Sequence, residues 1–108
     1  MRTQLGKITK IKFGYGGYQD AMIGVSFTLG NDGWGVNDFW GGWGIERNKY
    51  AKWTEEDRIK QLGEMTMKIK NLLDDAKKTN LDQLEGIPVE VTFDGIQLKE
   101  WRILKEVI

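Results

Sequence analysis

The chain contains neither cysteine nor histidine. The absence of cysteine excludes disulfides and thiolate nucleophiles, and the absence of both removes the usual zinc ligands. Without histidine, the chain also lacks the most common general base at neutral pH. Its acidic residues cluster at helix ends and not at metal-loop or catalytic-dyad spacing. We therefore expect a protein that is not an enzyme and that holds no metal and no cofactor.

Long apolar segments are also absent, and the first residues do not resemble a signal peptide. We therefore expect a cytoplasmic protein without a membrane partner. The net charge of zero argues against duplex DNA as a partner. The charge is uneven, however, because residues 1–53 carry seven Lys/Arg against four Asp/Glu and residues 54–108 carry nine against twelve. This asymmetry fits either a small anionic ligand or a charge-complementary contact between copies of the chain.

What the chain does have is an N-terminal half rich in strand formers, glycine and tryptophan. Residues 2–13 and "AMIGVSFTL" (21–29) predict an antiparallel hairpin joined by the glycine turn "GYGGYQD". "GNDG" (30–33) predicts a second turn. The following "WGVNDFWGGWGIER" is expected to continue the meander as short, irregular strands.

The central helix is the clearest predicted element. Thr54 is expected to be its N-cap, with Asp57 completing a variant of the capping box. Met67 lies nearly opposite the apolar stripe of this helix, which is consistent either with an isolated surface methionine or with a helix contacted from two sides in a dimer. The stripe itself consists of apolar residues at helical spacing: Ile59, Leu62, Met65, Ile69, Leu72, Leu73 and Ala76.

The C-terminal residues predict a second hairpin. Alternating apolar residues run up to Asp94-Gly95, a type I′ turn signal, and resume after it. The apolar parity then shifts, which suggests a bulge or bend near Lys99–Glu100 that places Trp101 and Arg102 on opposite faces.

Together these elements predict a single α+β domain over residues 1–108 with an antiparallel sheet and one long central helix. Its parts are a Gly/Trp-rich β region (1–53), a helix (54–78) and a C-terminal β-hairpin (87–108).

The glycine turn allows two interpretations. It is either a wide hairpin turn or an anion-binding loop in which Gly14, Gly16 and Gly17 bring backbone N–H groups near an anion between Tyr15 and Tyr18. It is not a dinucleotide fingerprint or a P-loop, because those loops precede a helix and this one precedes a predicted strand.

Flat rings and cations lie close together elsewhere in the chain. Each tryptophan taken alone is best explained as core, but in "WGVNDFWGGWG" the rings have neighbours without side chains, which favours a ligand-facing role for one or two of them. Rings such as Trp43 near Arg47 are typical of purine and phosphate binding. Arg102 is a second candidate, because a guanidinium between apolar strand residues can stack on a base and hold a phosphate.

Four segments together resemble one protein family: "GKITKIKFGYGGYQDAMIGVSFTL", the block "GWGV.DFW..WG.ER", the helix opening "WTEEDR...LGE", and "LEGIPVEVTFDGIQLKEWRIL". They are similar to type 1 phage Thoeris anti-defence sponges, which are short phage and prophage proteins. The similarity covers nearly the whole chain. It lies in the spacing of aromatic residues and glycines and not in a catalytic signature.

The resemblance implies strand wings around a helical centre, assembled as a dimer or larger oligomer. It implies binding, without cleavage, of a cyclic ADP-ribose isomer made by a bacterial TIR-domain enzyme, and a cyclic oligonucleotide at a separate site as a further ligand. It also implies a purine held between an aromatic ring and a C-terminal arginine, which corresponds to Arg102. The predicted helix contains no aromatic residue, so Phe93 or a tryptophan of a neighbouring subunit would replace a helix-borne ring.

The leading hypothesis is therefore a non-enzymatic sponge that sequesters a cyclic nucleotide signal in an infected bacterial host and so blocks Thoeris immunity. The alternatives are a protein–protein inhibitor or a small phage structural or adaptor protein, a nucleotide hydrolase, and a binder of single-stranded nucleic acid. The candidate ligand-binding residues are Tyr15, Gly16, Gly17, Tyr18, Trp43, Arg47, Phe93, Trp101 and Arg102.

Overall fold

The computed structural model describes all 108 residues and shows an α+β domain. One long helix, α1 (Glu55–Ala76), packs on a five-stranded antiparallel sheet with the strand order β3-β2-β1-β4-β5. The predicted fold class is confirmed. The strands are β1 (Arg2–Gly16), β2 (Met22–Asn31), β3 (Trp34–Trp43), β4 (Pro88–Asp94) and β5 (Gln97–Ile103).

The long strand β1 joins the two halves of the sheet. Its residues 7–16 pair with β2, with a register shift at Thr9, whereas its residues 2–7 pair with β4 on the other side. Ile8 makes the last backbone hydrogen bonds on the β4 side, to Gly86 and Ile87. Beyond Ile8, the edge of β1 that faces away from β2 has no partner strand.

Two expectations for the N-terminal half are corrected. Strand β1 does not end at Phe13, because Tyr15 and Gly16 still pair with Ile23 and Met22, and the turn is confined to the residues between β1 and β2. β3 is not a set of short, irregular strands but pairs with β2 in unbroken register from Asn31↔Trp34 to Met22↔Trp43. Gly41 and Gly35 of β3 lie opposite Gly24 and Gly30 of β2, and a Cβ on Gly24, Gly30 or Gly41 would collide with a backbone oxygen.

Helix α1 begins as predicted. The Thr54 hydroxyl accepts a hydrogen bond from the Asp57 amide at 3.1 Å, and the Asp57 carboxylate accepts one from the Thr54 amide at 2.7 Å. The helix ends at Ala76, because Lys77 has a left-handed backbone with φ of 59°.

The apolar stripe is confirmed in part. Its members Met65, Leu72 and Ala76 are buried. Ile59 was predicted to face the core but is 68% exposed, because the packing of α1 on the core begins one turn later, at Leu62.

The C-terminal hairpin forms with its bulge where the parity shift predicted it. Thr92 pairs with Glu100 and Phe93 with Leu98, so Lys99 is the extra residue. The turn is not type I′, because its central residues are Gly95 and Ile96 and only Gly95 has a positive φ, of 65°. The hairpin also stops short of residue 108: β5 ends at Ile103, and Lys105–Val107 form a short 3₁₀ turn.

The core lies on one face of the sheet. Apolar residues from β1, β2, β4 and β5 on that face are fully buried against one another and against α1. The helix packs mainly against β3 and β5, the two edge strands. The sheet therefore curls so that its edges approach each other, and α1 lies across the opening between them.

Candidate functional site

The two edge strands meet through aromatic rings. Trp40 of β3 stacks on Trp101 of β5 with ring centroids 5.5 Å apart and an interplanar angle of 15°. The ring of Phe27, on β2, contacts both, with centroid distances of 4.7 Å to Trp40 and 5.2 Å to Trp101. Lys68 of α1 adds a cation 5.1 Å from the Trp40 ring.

A single carboxylate holds this ring pair. Asp38 Oδ2 accepts hydrogen bonds from the indole nitrogens of Trp40, at 2.9 Å, and Trp101, at 2.7 Å. Its other oxygen accepts from the Phe39 amide at 2.9 Å. Hydrogen bonds to an ionised acceptor are stronger than neutral ones. Asp38 therefore acts as a clasp between β3 and β5.

A second tryptophan pair lies near the start of α1. Trp43 and Trp53 stack at 5.5 Å with an angle of 12°, and the Arg58 guanidinium lies 4.8 Å from the Trp53 ring. Arg47 belongs to the same region, since its Nε donates to the Trp53 carbonyl. Gln61 of α1 accepts from the Trp43 amide at 3.0 Å, which ties the end of β3 to the helix.

The glycines provide space for the protein's own rings. A Cβ on Gly6 would lie 2.9 Å from the Trp34 ring, and one on Gly16 would lie 2.8 Å from the Phe39 ring. A Cβ on Gly42 would lie 2.9 Å from Gln61 of α1. The dense alternation of glycine and aromatic residues thus has an intramolecular cause.

Arg102 is held by two carboxylates. Its Nη1 and Nη2 donate to the two Glu106 oxygens at 2.9 and 2.8 Å, and its Nε donates to Glu90 at 3.3 Å. These bonds raise the pKa of Arg102 above its usual value. The bond from Arg102 lowers the pKa of the Glu106 carboxyl to about 2.

Arg102 also lies between two small clefts. Arg102 lines one cleft of about 190 Å³ together with Glu90, Glu100 and Trp101. It also lines another cleft, of about 180 Å³, together with Lys68 and Asp75 of α1. Its side chain is 45% exposed. Trp101 packs on the core face and Arg102 pairs with Glu90 on the other, as the predicted bulge requires.

The predicted site residues fall into two separate groups. Trp101 and Arg102 lie on β5, next to the N-terminal half of β1 through β4. At the opposite end of β1 lie Tyr15, Gly16, Gly17, Tyr18, Trp43 and Arg47. At about 3.3 Å per residue, Tyr15 is roughly 26 Å along β1 from Lys7, the last residue of β1 that pairs with β4. The two groups approach each other only on the core face, where Trp101 stacks on Trp40, three residues before Trp43.

Phe93 does not reach Arg102 within one chain. It is only 6% exposed, packs edge-on against Trp34 at 5.6 Å, and has Arg2 at 5.2 Å from its ring. Strand alternation puts it on the core face, opposite to Arg102. The aromatic neighbour of Arg102 in this chain is Trp101.

The sequence did not predict three acidic residues of this site, Asp38, Glu90 and Glu106, because its acidic residues were interpreted as helix caps and helix ends. Asp38 had a visible signal, a lone acid within the aromatic run "WGVNDFWGGW". Glu106 lies four residues after Arg102, but that spacing indicates contact only in a helix or turn, and a strand was expected there. Glu90 lies across a strand pair whose register was needed to find it.

No helix of the protein has the length and apolar character needed to cross a membrane. No group of acidic side chains is arranged to hold a metal ion. Comparison of the chain with protein-family models, curated proteins and solved structures finds no significant match.

Proposed function

We propose that this protein binds and sequesters, without chemical change, an anionic purine-derived signal, specifically a cyclic ADP-ribose isomer. In this proposal it is a phage anti-defence sponge that acts in the cytoplasm of an infected bacterium and blocks TIR-dependent Thoeris immunity. The observation that carries the proposal is the Arg102 guanidinium, which lies on an edge strand beside Trp101 and already holds a planar anion, the Glu106 carboxylate, in bidentate geometry. Phosphate binds arginine with the same geometry.

The sizes of the clefts support a pocket shared between subunits. Each cleft that Arg102 lines measures 180–190 Å³. Pockets that enclose small molecules usually measure about 300–1,000 Å³. A ligand of the size of a cyclic ADP-ribose isomer would therefore need part of its pocket to come from a second copy of the chain.

The single chain also has features that favour self-association. Only 15 of its 108 residues are buried, and its radius of gyration is 15.1 Å, against about 13 Å for a compact domain of this length. The unpartnered edge of β1 carries Phe13, which is 63% exposed. Ile59 and Met67 of α1 are exposed apolar residues as well. We propose a homo-oligomer, a dimer or higher, and Met67 fits the interpretation of a helix contacted from two sides.

The direct test is to mix the protein with each cyclic ADP-ribose isomer, remove free ligand by filtration, and release bound ligand by heat. We expect the retained molecule to be recovered with its mass unchanged. Native mass spectrometry of the same mixture reports the number of chains and ligands in each complex. Recovery of every isomer in the filtrate would contradict the proposal, and recovery of a cleaved product would indicate a hydrolase instead. A cyclic oligonucleotide added to the preformed complex tests for a separate second site.

A second candidate function is protein–protein inhibition or a phage adaptor role, and the free edge of β1 favours it. Residues Thr9–Gly16 have open backbone hydrogen-bonding groups on one side and expose Phe13 and Tyr15, a surface suited to strand addition. The tryptophans are less suited as anchors than expected, because all five are partly buried. This function predicts a stable complex with a host or phage protein that is weakened by Phe13→Lys and unaffected by Arg102→Ala.

A further inference from the structure

We propose that Glu106 is an internal competitor for the anion position on Arg102, and that a bound phosphate displaces it together with the 3₁₀ turn Lys105–Val107. This inference rests on the proposed function, since it concerns how the same guanidinium receives its ligand. It assigns to residues 105–108 a role in setting the affinity of the site.

The guanidinium has no free donor edge while Glu106 is in place. Glu106 occupies the Nη1–Nη2 edge, at 2.9 and 2.8 Å, Glu90 accepts from Nε, and the Ile103 carbonyl accepts a further bond from Nη1 at 3.3 Å. A ligand phosphate that binds Arg102 in bidentate fashion must therefore replace one of these two carboxylates. A phosphate placed beside both carboxylates would also be repelled by their charges.

Glu90 is the harder carboxylate to move. It lies within β4, where its backbone pairs with both β1 and β5, so its side chain starts from a fixed position. Its own contact with Arg102 is the weaker of the two, a single hydrogen bond from Nε at 3.3 Å, and it leaves the Nη1–Nη2 edge to Glu106. We expect Glu90 to stay on Nε and to orient the guanidinium toward the ligand.

Glu106, in contrast, lies on a segment that little else holds. The last firm backbone anchor is the bond from the Leu104 amide to the Pro88 carbonyl at 3.0 Å. Residues 105–108 are all exposed. Their only backbone hydrogen bonds are made within the turn, from the Val107 amide to the Leu104 carbonyl at 3.2 Å and from the Ile108 amide to the Lys105 carbonyl at 3.3 Å. Besides Glu106, the only ion pair of this turn joins Lys105 to Asp75 at 3.7 Å. Displacing the turn therefore uncovers only the covered parts of Val107 and Ile108, which are already 63% and 40% exposed.

The ligand chemistry follows from the group that is replaced. A carboxylate in bidentate contact presents two oxygens to Nη1 and Nη2, and a phosphate or pyrophosphate presents the same pair with more negative charge. Arg102 in this state selects for ligands with a phosphate that can span both nitrogens. A neutral nucleoside cannot displace the turn.

The test compares Glu106→Gln with Glu100→Gln, using calorimetry with the cyclic ADP-ribose isomers. Both variants remove one negative charge, but Glu100 lines the cleft without bonding to Arg102, so it measures the general electrostatic contribution. We expect Glu106→Gln to bind roughly two- to fivefold more tightly than Glu100→Gln, a range set by the strength of exposed ion pairs. In the wild type, ligand should also sharpen the amide NMR signals of residues 105–108, because the turn is released.

The outcomes separate the two proposals. Equal affinity of the two variants, with unchanged C-terminal signals on binding, overturns the competitor role and leaves the sponge proposal intact. If no isomer binds to any variant, the sponge proposal fails, and inorganic pyrophosphate then tests the competitor role alone. A saturable shift of the Arg102 Nε–H signal at lower pyrophosphate concentration in Glu106→Gln than in the wild type supports that role. No difference between the two proteins overturns it.

Discussion

Trp40 and Trp101 lie on the two outermost strands of the sheet, yet their rings stack 5.5 Å apart. Both indoles donate to the same oxygen of Asp38. A flat five-stranded sheet would separate its outer strands by about 19 Å, or four strand spacings. The ring pair and its carboxylate therefore mark where the sheet closes on itself, and Arg102 follows directly after one of the two rings.

The clasp should make a measurable contribution to stability. Asp38 uses both carboxylate oxygens as acceptors, whereas asparagine has only one side-chain oxygen. In Asp38→Asn, if that oxygen accepts from the two indoles, the side-chain NH2 faces the Phe39 N–H, so at least one donor loses its acceptor. We expect the free energy of unfolding to fall by about 1–3 kcal/mol, the usual cost of a lost hydrogen bond to a charged group. Urea denaturation measures this loss. Asp32→Asn, in the exposed β2–β3 turn, is the control, and equal stability of the two variants would show that Asp38 is not a clasp.

Two glycine-to-alanine substitutions should have opposite effects. At Gly6 a methyl group would lie 2.8 Å from the Gly30 carbonyl oxygen and 2.9 Å from the Trp34 ring, so we expect a loss of about 1–3 kcal/mol from overpacking. At Gly63, within α1, the methyl group would meet no atom within 4 Å. Alanine there should stabilise the helix by about 0.5–1 kcal/mol. Thermal or urea unfolding measures both, and a loss at Gly63 would indicate that a partner subunit packs closely on that face of the helix.

The elements that could be predicted from the sequence are those specified by local signals. Thr54 and Asp57 identified the helix start because the capping box spans four residues. The bulge at Lys99 was predicted because a shift in apolar parity is visible within one strand. The regularity of β3 was not predicted because its glycines weaken the strand signal, while two of them, Gly35 and Gly41, pair with glycines of β2 that are distant in the sequence.

The candidate site could be predicted only in pieces. Arg102 was chosen as a candidate because a cation between apolar strand residues is unusual. Its surroundings were not, because Asp38 and Trp101 are 63 residues apart and their contact depends on how far the whole sheet curls. The separation of Tyr15 from Arg102 likewise follows from which halves of β1 pair with β2 and β4, and no local pattern encodes that division.

The ion pair of Glu106 should persist in acid. Its pKa is lowered from 4.5 to about 2 by the hydrogen bonds from Arg102. Because the folded value is the lower one, the contact contributes fully above about pH 4.5 and is lost as the pH falls toward 2. We expect the carboxyl carbon resonance of Glu106 to titrate with a midpoint near 2 in the wild type and at a clearly higher pH in Arg102→Gln, because the largest cause of the lowered pKa is removed. A shared midpoint in the two proteins would mean that the pair is not formed in solution.

Removing the guanidinium should abolish most ligand retention without unfolding the protein. Arg102 is 45% exposed, and both of its carboxylate partners can turn to water, so Arg102→Ala should leave the unfolding transition close to that of the wild type. Loss of a charge-assisted bidentate contact should weaken binding of the cyclic ADP-ribose isomer by about 10- to 100-fold. Arg102→Lys keeps the charge but not the paired donors, and we expect an intermediate affinity.

The matched control for Arg102→Ala is Lys99→Ala, which removes one positive charge from the same strand at the bulge. It should retain ligand as the wild type does, because Lys99 reaches only Met1 and not the cleft. Filtration retention and calorimetry on the three variants separate the contribution of charge from that of geometry. If Lys99→Ala loses as much affinity as Arg102→Ala, the ligand responds to overall charge. If neither loses affinity, the purine-derived ligand lies elsewhere, and the Tyr15–Trp43 end of the sheet is the remaining place among the predicted residues.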